Sequence, residues 1–493
     1  MKRDAIISLH SDAEASASAA RAASTKADRT ANTLALVVLL TGAFLSPLDY
    51  FIVNLALPAI RAGVGASAAQ LQLIVSVYTS AFAVLLVTGG RLGDAFGRKR
   101  MFMTGMAGFV LASLACALAS SGSALVFARL LQGSAAAMLV PQILATIRSA
   151  FPPERQTKVM GLYGFVYGFA SVAGQLGGGA LITLHPFGLG WRAIFLINVP
   201  VGALALLGAW RFVPESRAAH RERIDVPSLL MLSTVFALVI YPLTQGREAH
   251  WPVWTVVCLA ASVPVLGAFV YRQQRVKRAG VAPLVDPSLF RNRVFSIGLV
   301  LAFCFYCDSA FFLTYGIYLQ SGLAWSPLSA GLAVLPFGVG SILGPLVSPA
   351  LVRRLGHRVL TVGFAALAVG FAISCVASMR IAPDTLFYLG LALAGMGHGI
   401  VLPSVVRIVI GEIEPAKAGL AGSVVTTMLQ VGSAFGATAI SGVFFSIVAH
   451  DTSAAAYAQA YRYSMVVVAS VFFVCVPLSL ILSARNRAHA ERA

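Results

Sequence analysis

Charge is what this sequence lacks most. Only 11% of its 493 residues are Asp, Glu, Lys or Arg, against about 25% in a soluble domain. So few charges cannot cover a water-soluble chain of this length, and a disordered chain would not be 58% hydrophobic. Cysteine is also scarce. Cys116, Cys258, Cys304, Cys307, Cys375 and Cys475 all lie in apolar runs, with no pair in a loop, which excludes a disulfide framework. Cys304 and Cys307 form a C-x-x-C inside one run and read as small membrane-embedded hydrophobes rather than a metal or redox site. No phosphate-cradling G-x-x-x-x-G-K-[ST] is present, so ATP is excluded as a driving force. No catalytic constellation stands out, no cofactor or metal is expected, and no cleavable signal peptide is visible.

What fills the chain instead is apolar sequence, with a mean hydropathy of +0.84. Fourteen apolar runs extend from Thr33 to Ser483. Each is long enough for a helix to cross a bilayer, which takes about 20 residues. They are too continuous for barrel strands, which alternate over about 10 residues. The expected class is an all-α, multi-pass membrane protein. Thirty of the 36 Lys and Arg residues fall in alternate connections and both tails, and Arg61, Arg192, Arg247, Arg380 and Arg462 fall on the other side. This asymmetry predicts that both termini are cytoplasmic. It also accounts for the net charge of +18 as a topology signal in contact with anionic lipid, which excludes nucleic acid as the partner.

The pattern repeats. Gly90-Arg-Leu-Gly-Asp94-Ala-Phe-Gly97-Arg98-Lys99 returns loosely as Pro349-Ala-Leu-Val-Arg353-Arg-Leu-Gly356-His357-Arg358, and Gln132-Gly133…Val140-Pro141 returns as Ala394-Gly395…Leu402-Pro403. A parallel repeat of two six-helix halves is a transporter architecture with its site between the halves. The predicted organisation is a disordered cytoplasmic tail over 1–30 and an N-terminal six-helix bundle over 31–215. A linker with two extra transmembrane helices follows over 216–280, then a C-terminal six-helix bundle over 281–485 and a cytoplasmic tail over 486–493. This makes 14 helices in a 6+2+6 arrangement.

The loop Gly90-Arg91-Leu92-Gly93-Asp94-Ala95-Phe96-Gly97-Arg98-Lys99-Arg100 places a carboxylate at a helix end, a glycine turn, and cations on the next helix. It resembles the major facilitator signature between the second and third helices. Three more stretches resemble the 14-helix drug:proton antiporters of that superfamily, the EmrB/QacA type. They are Leu48-Asp49-Tyr50-Phe51-Ile52-Val53-Asn54-Leu55-Ala56-Leu57-Pro58, Arg129-Leu-Leu-Gln132-Gly133-Ser-Ala-Ala-Ala137, and Trp191-Arg192-Ala-Ile-Phe195-Leu-Ile-Asn198-Val-Pro200-Val-Gly202. The resemblance implies a major facilitator fold, proton coupling through Asp49 and Arg129, and a gate at Gly90, Asp94, Gly97, Arg98 and Lys99. The fifth helix departs from the family's G-x-x-x-G-P-x-x-G-G. It reads Ala170-x-x-x-Gly174-Gln175-x-x-Gly178-Gly179, and Gly164, Gly168, Ser171, Gln175 and Gly178 predict one seam of close packing. Without the proline, the implied kink weakens and export direction is less constrained.

Ionisable groups inside spans point to a pathway, because they are costly in lipid. Asp49 reads either as a proton-handling carboxylate or as a structural hydrogen bond at a helix end, and Arg129 either as a coupling group or as a fixed ion pair. Gln132 lies one turn from Arg129. Asp308 shares a predicted helix face with Cys304, Phe311, Phe312 and Tyr315, a carboxylate among rings that would suit a lipophilic cation. His398, of the residue type that changes charge between pH 5 and 8, reads as a pathway group or as a satisfied core histidine. The expected pathway is therefore Asp308, Phe311, Phe312, Tyr315, Gln132, Gln175 and His398. The expected function is proton-driven export of lipophilic, cationic small molecules across the cell (inner) membrane by alternating access. The partners are substrate, protons and membrane lipid, with a periplasmic adaptor only where the source has two membranes. An exporter or importer of one native metabolite, and a transporter-like sensor without flux, are the alternative readings.

Overall fold

In hydrocarbon the backbone must satisfy its own hydrogen bonds, and a run of apolar residues does so by closing into a helix. The computed structural model describes residues 2–151, 153–216, 225–246, 251–280, 283–378, 383–411, 413–414 and 418–490. Among them 14 helices are long and apolar enough to cross a membrane. They are α1 (Asn32–Val64), α2 (Ala68–Phe96), α3 (Arg98–Leu118), α4 (Gly122–Ile147), α5 (Gly161–Leu184), α6 (Gly190–Phe212), α7 (Val226–Leu243), α8 (Val253–Arg278), α9 (Arg293–Gly322), α10 (Pro327–Leu355), α11 (Val359–Ala377), α12 (Thr385–Gly411), α13 (Val424–Val448) and α14 (Ala454–Leu482). The protein is thus a multi-pass membrane protein, and with an even number of described spans the start of α1 and the end of α14 lie at one end of the bundle, the end richer in Lys and Arg. The first helix is continuous from Lys2. Residues 2–30, expected as a disordered tail, are therefore helical; the segment is rich in alanine, the best helix former. The last helix likewise runs on to Ala490.

Local chemistry starts the helices where the sequence offers it. Ser67 and Gln70 form a capping box ahead of α2, while Ser121 caps α4 and Asn292 caps α9. Helices α1–α6 pack as one bundle and α9–α14 as another. The repeat has a structural counterpart in their crossings. Gly133 of α4 lies against the Tyr78 carbonyl of α2, and Gly395 of α12 lies against the Phe337 carbonyl of α10. Each is a closest-approach point where only hydrogen fits.

The two bundles are joined mainly at the end opposite the termini. There one continuous apolar core takes in Phe51, Ile60, Leu71 and Trp191 from the first bundle, and Phe312, Leu319 and Phe444 from the second. Toward the basic end the first bundle has its own core around Leu39, Phe102 and Ile143. Two glutamines tie the opposite end across the boundary. Gln72 donates to the Thr438 carbonyl at 3.1 Å, and Gln320 to the Leu55 carbonyl at 2.8 Å. Helix α5 follows the same gradient. Gly174 and Gly178 press on α1 and Gly179 on the Pro327 carbonyl of α10, whereas among the described residues a methyl added at Gly161, Gly164 or Gly168 would meet no neighbouring helix within 4 Å. The predicted seam therefore packs only over its outer half.

The inserted pair α7–α8 lies along one boundary between the bundles. Leu229, Leu232 and Phe236 of α7 share a core with Ala83 of α2 and Ala434 of α13. Polar clamps hold the pair at the basic end. Arg272 of α8 reaches Asp225 at the start of α7 (2.6 Å), and Lys277 reaches Asp286 in the following linker (2.7 Å). Burial raises both carboxyls. Bonds from Arg272 and Ser228 to Asp225, and from Lys277 and Ser288 to Asp286, outweigh it and hold both below the usual carboxylate range. A carboxyl lowered by folding stabilises the fold above its unfolded value. These clamps therefore persist through mild acid and are lost only as pH falls through the lowered folded-state values.

Candidate functional site

The first charged centre lies wholly inside the N-terminal bundle. Helix α4 brings in Arg129 with Gln132 one turn on, α1 brings Asp49, α6 Asn198 and α3 Ser113. Asp49, Arg129, Gln132, Asn198 and Ser113 are all fully buried. Arg129 pairs through Nη1 with Asp49 and donates from Nε to the Ile74 carbonyl at 3.0 Å. Its Nη1 also meets Gln132 Oε1 at 2.7 Å. Asp49 Oδ1 accepts from Gln132 (2.8 Å) and from Asn198 (2.7 Å), and Gln132 donates also to Ser113 (2.8 Å). The guanidinium lies over the Tyr78 ring, 4.2 Å from its centre. A buried ion pair survives only when further hydrogen bonds satisfy its remaining lone pairs and protons. Here the carboxylate accepts three hydrogen bonds, while among the described residues Arg129 Nη2 has no partner.

The second centre lies where α9 is interrupted. A 3₁₀ turn over Tyr306–Asp308 breaks the helix. It turns the Asp308 carboxylate to His398 of α12, Nδ1 to Oδ2 2.7 Å. Phe305, Phe337 and Tyr306 surround the imidazole, with ring centres 4.7, 5.5 and 6.4 Å away. The N-terminal bundle faces this centre with phenols. Tyr306 donates across the boundary to the Tyr167 hydroxyl of α5 at 3.1 Å. The buried Tyr50 hydroxyl of α1 has no hydrogen-bond partner among the described residues. Breaks of this kind cluster at functional sites.

Three expected pathway residues are packed among other rings. Phe311 and Tyr315 are fully buried in the C-terminal core, Phe311 against Phe371 and Tyr315 bonded to the Ala330 carbonyl. Phe312 packs on Phe51 across the boundary, nearer the opposite end. The 3₁₀ turn ends at Asp308 and α-helix resumes from Ser309, so all three keep their helical spacing from Asp308, and Phe311 and Phe312 pack on Phe337, the ring beside His398. Gln175 is buried where α5 meets α10, with both amide atoms unpartnered. Gln132 belongs to the first centre, and only His398 joins Asp308. The residues not anticipated are Asn198, Tyr50, Tyr167 and Tyr306. Asn198 and Tyr50 stand inside stretches singled out by motif, but nothing local marks the side chains as partners of a carboxylate.

The gate loop is built by Gly97, whose φ of 112° is open only to glycine at low cost. Asp94 pairs with Arg98 at 3.1 Å, and Arg98 also donates to the Ala145 carbonyl of α4 at 3.2 Å. Lys99 donates from Nζ to the Trp210 carbonyl of α6 at 2.8 Å, and its backbone N–H goes to Glu215, an acceptor not foreseen. A methyl group at Gly90 would lie an ordinary 3.7 Å from Pro141, so packing does not require glycine there. Among the described residues the bonds of Asp94, Arg98 and Lys99 stay within the N-terminal bundle and the segment after it. Asp94 is 40% exposed, and an exposed pair contributes about 1 kcal/mol or less. Asp94→Asn should therefore leave the melting temperature of purified protein within a few degrees while lowering transport several-fold at equal protein level. Unchanged flux would reduce the loop to a topology signal.

The family model of the Major Facilitator Superfamily matches residues 39–437 and 297–492. A probable actinorhodin transporter of Streptomyces coelicolor is 36% identical over 431 residues, covering 85% of this chain and 74% of that protein. A puromycin resistance protein of Streptomyces alboniger is 36% identical over 441 residues, covering 85% and 84%. Among solved structures, a bacterial homologue of the human drug peptide transporters PepT1 and PepT2 superposes with a TM-score of 0.66 at 16% identity, covering 93% of this chain and 99% of that one. At that identity the likeness concerns the fold.

Proposed function

The chain belongs to the major facilitator superfamily, and on that premise we propose that it is an efflux transporter for antibiotic-like small molecules, driven by protons through alternating access. The observation that carries this reading is a pair of buried charged centres, one in each bundle, with the second facing phenols of the opposite bundle. Proton coupling falls to Asp49 with Arg129. Their carboxylate is fully desolvated and can change charge only if Arg129, Gln132 and Asn198 let go of it. Substrate passes between the bundles along Tyr50, Tyr167, Tyr306, Asp308 and His398. Gln175 becomes available as the α5–α10 contact opens. Asp94, Arg98 and Lys99 form the gate at the basic end.

The Lys and Arg asymmetry supports a cytoplasmic basic end. The bundles, joined at the opposite end, are then open toward the cytoplasm, the state that loads an exporter. The relatives' names, one a transporter of actinorhodin and one conferring resistance to puromycin, support efflux of such compounds from the cell across its inner membrane. Everted membrane vesicles test the reading. Acidifying the lumen should drive uptake of puromycin and of a lipophilic cationic dye, and a protonophore should abolish it. Flux of one compound alone would favour a dedicated metabolite exporter. No flux of any compound would overturn the proposal.

A further inference from the structure

We propose that a cavity between the two bundles, at the end opposite the termini, is a binding site for a compact amphipathic anion, and that an anion seated there holds this end shut. The inference goes beyond export. It concerns a place away from both charged centres, and binding there does not depend on which compounds are moved.

The cavity measures about 270 Å³. Pockets for drug-sized ligands run upward from roughly 300 Å³, so a body of two fused rings suits it and a two-chain lipid does not. Its walls are apolar and come from both bundles. Leu71 belongs to α2, Ile317 to α9, and Phe444, Phe445 and Val448 to α13. All five are buried. The rim is different. Arg61 in the last turn of α1, Ser321 of α9 and Thr452 ahead of α14 line the same cavity and are exposed. A fourth polar group is the hydroxyl of Tyr457, a buried residue whose ring centre lies 6.2 Å from that of Phe444. Among the described residues the side chains of Arg61, Ser321, Thr452 and Tyr457 make no hydrogen bond or ion pair. One guanidinium and three hydroxyls are therefore free to donate. No acidic side chain is found among the lining residues. Asp451, next to Thr452, spends its carboxylate on the N–H and hydroxyl of Ser453, at 2.8 and 3.0 Å. A cation and three donors above an apolar floor select an anionic head on an apolar body.

Occupancy bears on closure because the cavity lies beside both ties across the boundary. Gln72, which bonds the Thr438 carbonyl, follows Leu71, and Gln320, which bonds the Leu55 carbonyl, precedes Ser321. Each tie uses a π-helical turn, Tyr318–Gly322 or Gly436–Ile440, and such turns are frequent at functional sites. When the bundles part at this end, as alternating access requires, Arg61 and Leu71 leave with the first bundle. Ser321, Phe444 and Tyr457 leave with the second. An anion held by both sets binds the closed form and loses its site in the parted one. A ligand that binds one form better moves the population toward it.

Naphthalene-2-sulfonate is the probe, because its charge does not change with pH. Naphthalene-2-sulfonamide supplies the body without the charge, and methanesulfonate the head without the body. Titration calorimetry on the full-length protein in phosphatidylcholine nanodiscs should show binding of the naphthalenesulfonate, with both controls weaker by about tenfold or more. Arg61→Gln should bring the sulfonate down to the level of the sulfonamide. It should leave the melting temperature within a few degrees, since Arg61 is exposed. Ala449→Trp, at an exposed lining position, should fill the cavity and abolish binding. Hydrogen exchange should slow on binding at the starts of α2 and α14 together. Equal binding of sulfonate and sulfonamide, or wild-type affinity in Arg61→Gln, would overturn the inference. Slowing in one bundle alone would overturn the hold on closure. Loss of binding in phosphatidylglycerol nanodiscs, at raised salt to screen surface repulsion, would give the rim to a lipid headgroup and overturn the assignment to a free anion. None of these readouts needs flux, so an inactive vesicle assay would sink the export reading and leave this one standing.

Discussion

Asp49→Asn should cost about 3–5 kcal/mol of stability, because it leaves Arg129 charged, buried and without its counter-ion. The same substitution should abolish proton-driven flux for every substrate. Loss of flux alone would therefore be ambiguous, and the structure supplies the control. In the double variant Asp49→Asn with Arg129→Gln no charge remains at this centre, and amides can still bond with Gln132 and Asn198. Its melting temperature should return most of the way to wild type while proton-driven flux stays absent. Thermal unfolding in detergent and uptake into vesicles under an imposed pH gradient measure the two effects separately. A double variant that is stable and still couples transport to protons would remove Asp49 and Arg129 from the coupling step. A single variant as stable as wild type would show that the buried pair is not held as described.

Valine at Gly133 or Gly395 should be nearly as damaging, by a different route. A methyl group added at Gly133 would lie on the Tyr78 carbonyl oxygen, and one at Gly395 on the Phe337 carbonyl oxygen. Neither obstacle is a side chain that can swing away, so the helices must separate. Overpacking of this kind costs about 3 kcal/mol, and more where backbone is the obstacle. Both variants should show a several-fold loss of monodisperse protein on gel filtration. Gly164→Ala is the matched control, since a methyl there meets no atom within 4 Å. Normal yields of Gly133→Val and Gly395→Val would mean that the two crossings are looser than drawn.

These glycines also show how much the sequence conveyed. The repeat that pairs Gly133 with Gly395 was visible as spacing, and each glycine falls at the same kind of crossing in its bundle. Apolar runs report spans because the bilayer penalises any other backbone. Asp49 and Arg129 were visible because a charge inside such a run is conspicuous. Tyr50, Tyr167 and Tyr306 were not, because a phenol in an apolar span is ordinary, and their meeting depends on how α1, α5 and α9 register across the boundary. Phe311 and Tyr315 were legible as sharing a helical face with Asp308. Periodicity does not convey that Phe371, Phe337 and the Ala330 carbonyl stand against that face. The N-terminal segment read as disordered from its polarity, whereas its alanine content lets the first helix continue back to Lys2.

The position of the inserted pair bears on how the protein meets the lipid. A two-bundle transporter has two lateral boundaries facing the lipid, here α2 with α13 and α5 with α10. Helix α7 seals the first through Leu229, Leu232 and Phe236, with Ala83 and Ala434 beneath. The second has no such cover, and near the basic end Gly161, Gly164 and Gly168 leave α5 standing clear of its neighbours, with Phe165 52% exposed. Among the described residues one lateral boundary is covered by an extra helix and the other is not. The inserted pair therefore makes the protein one-sided in the plane of the membrane.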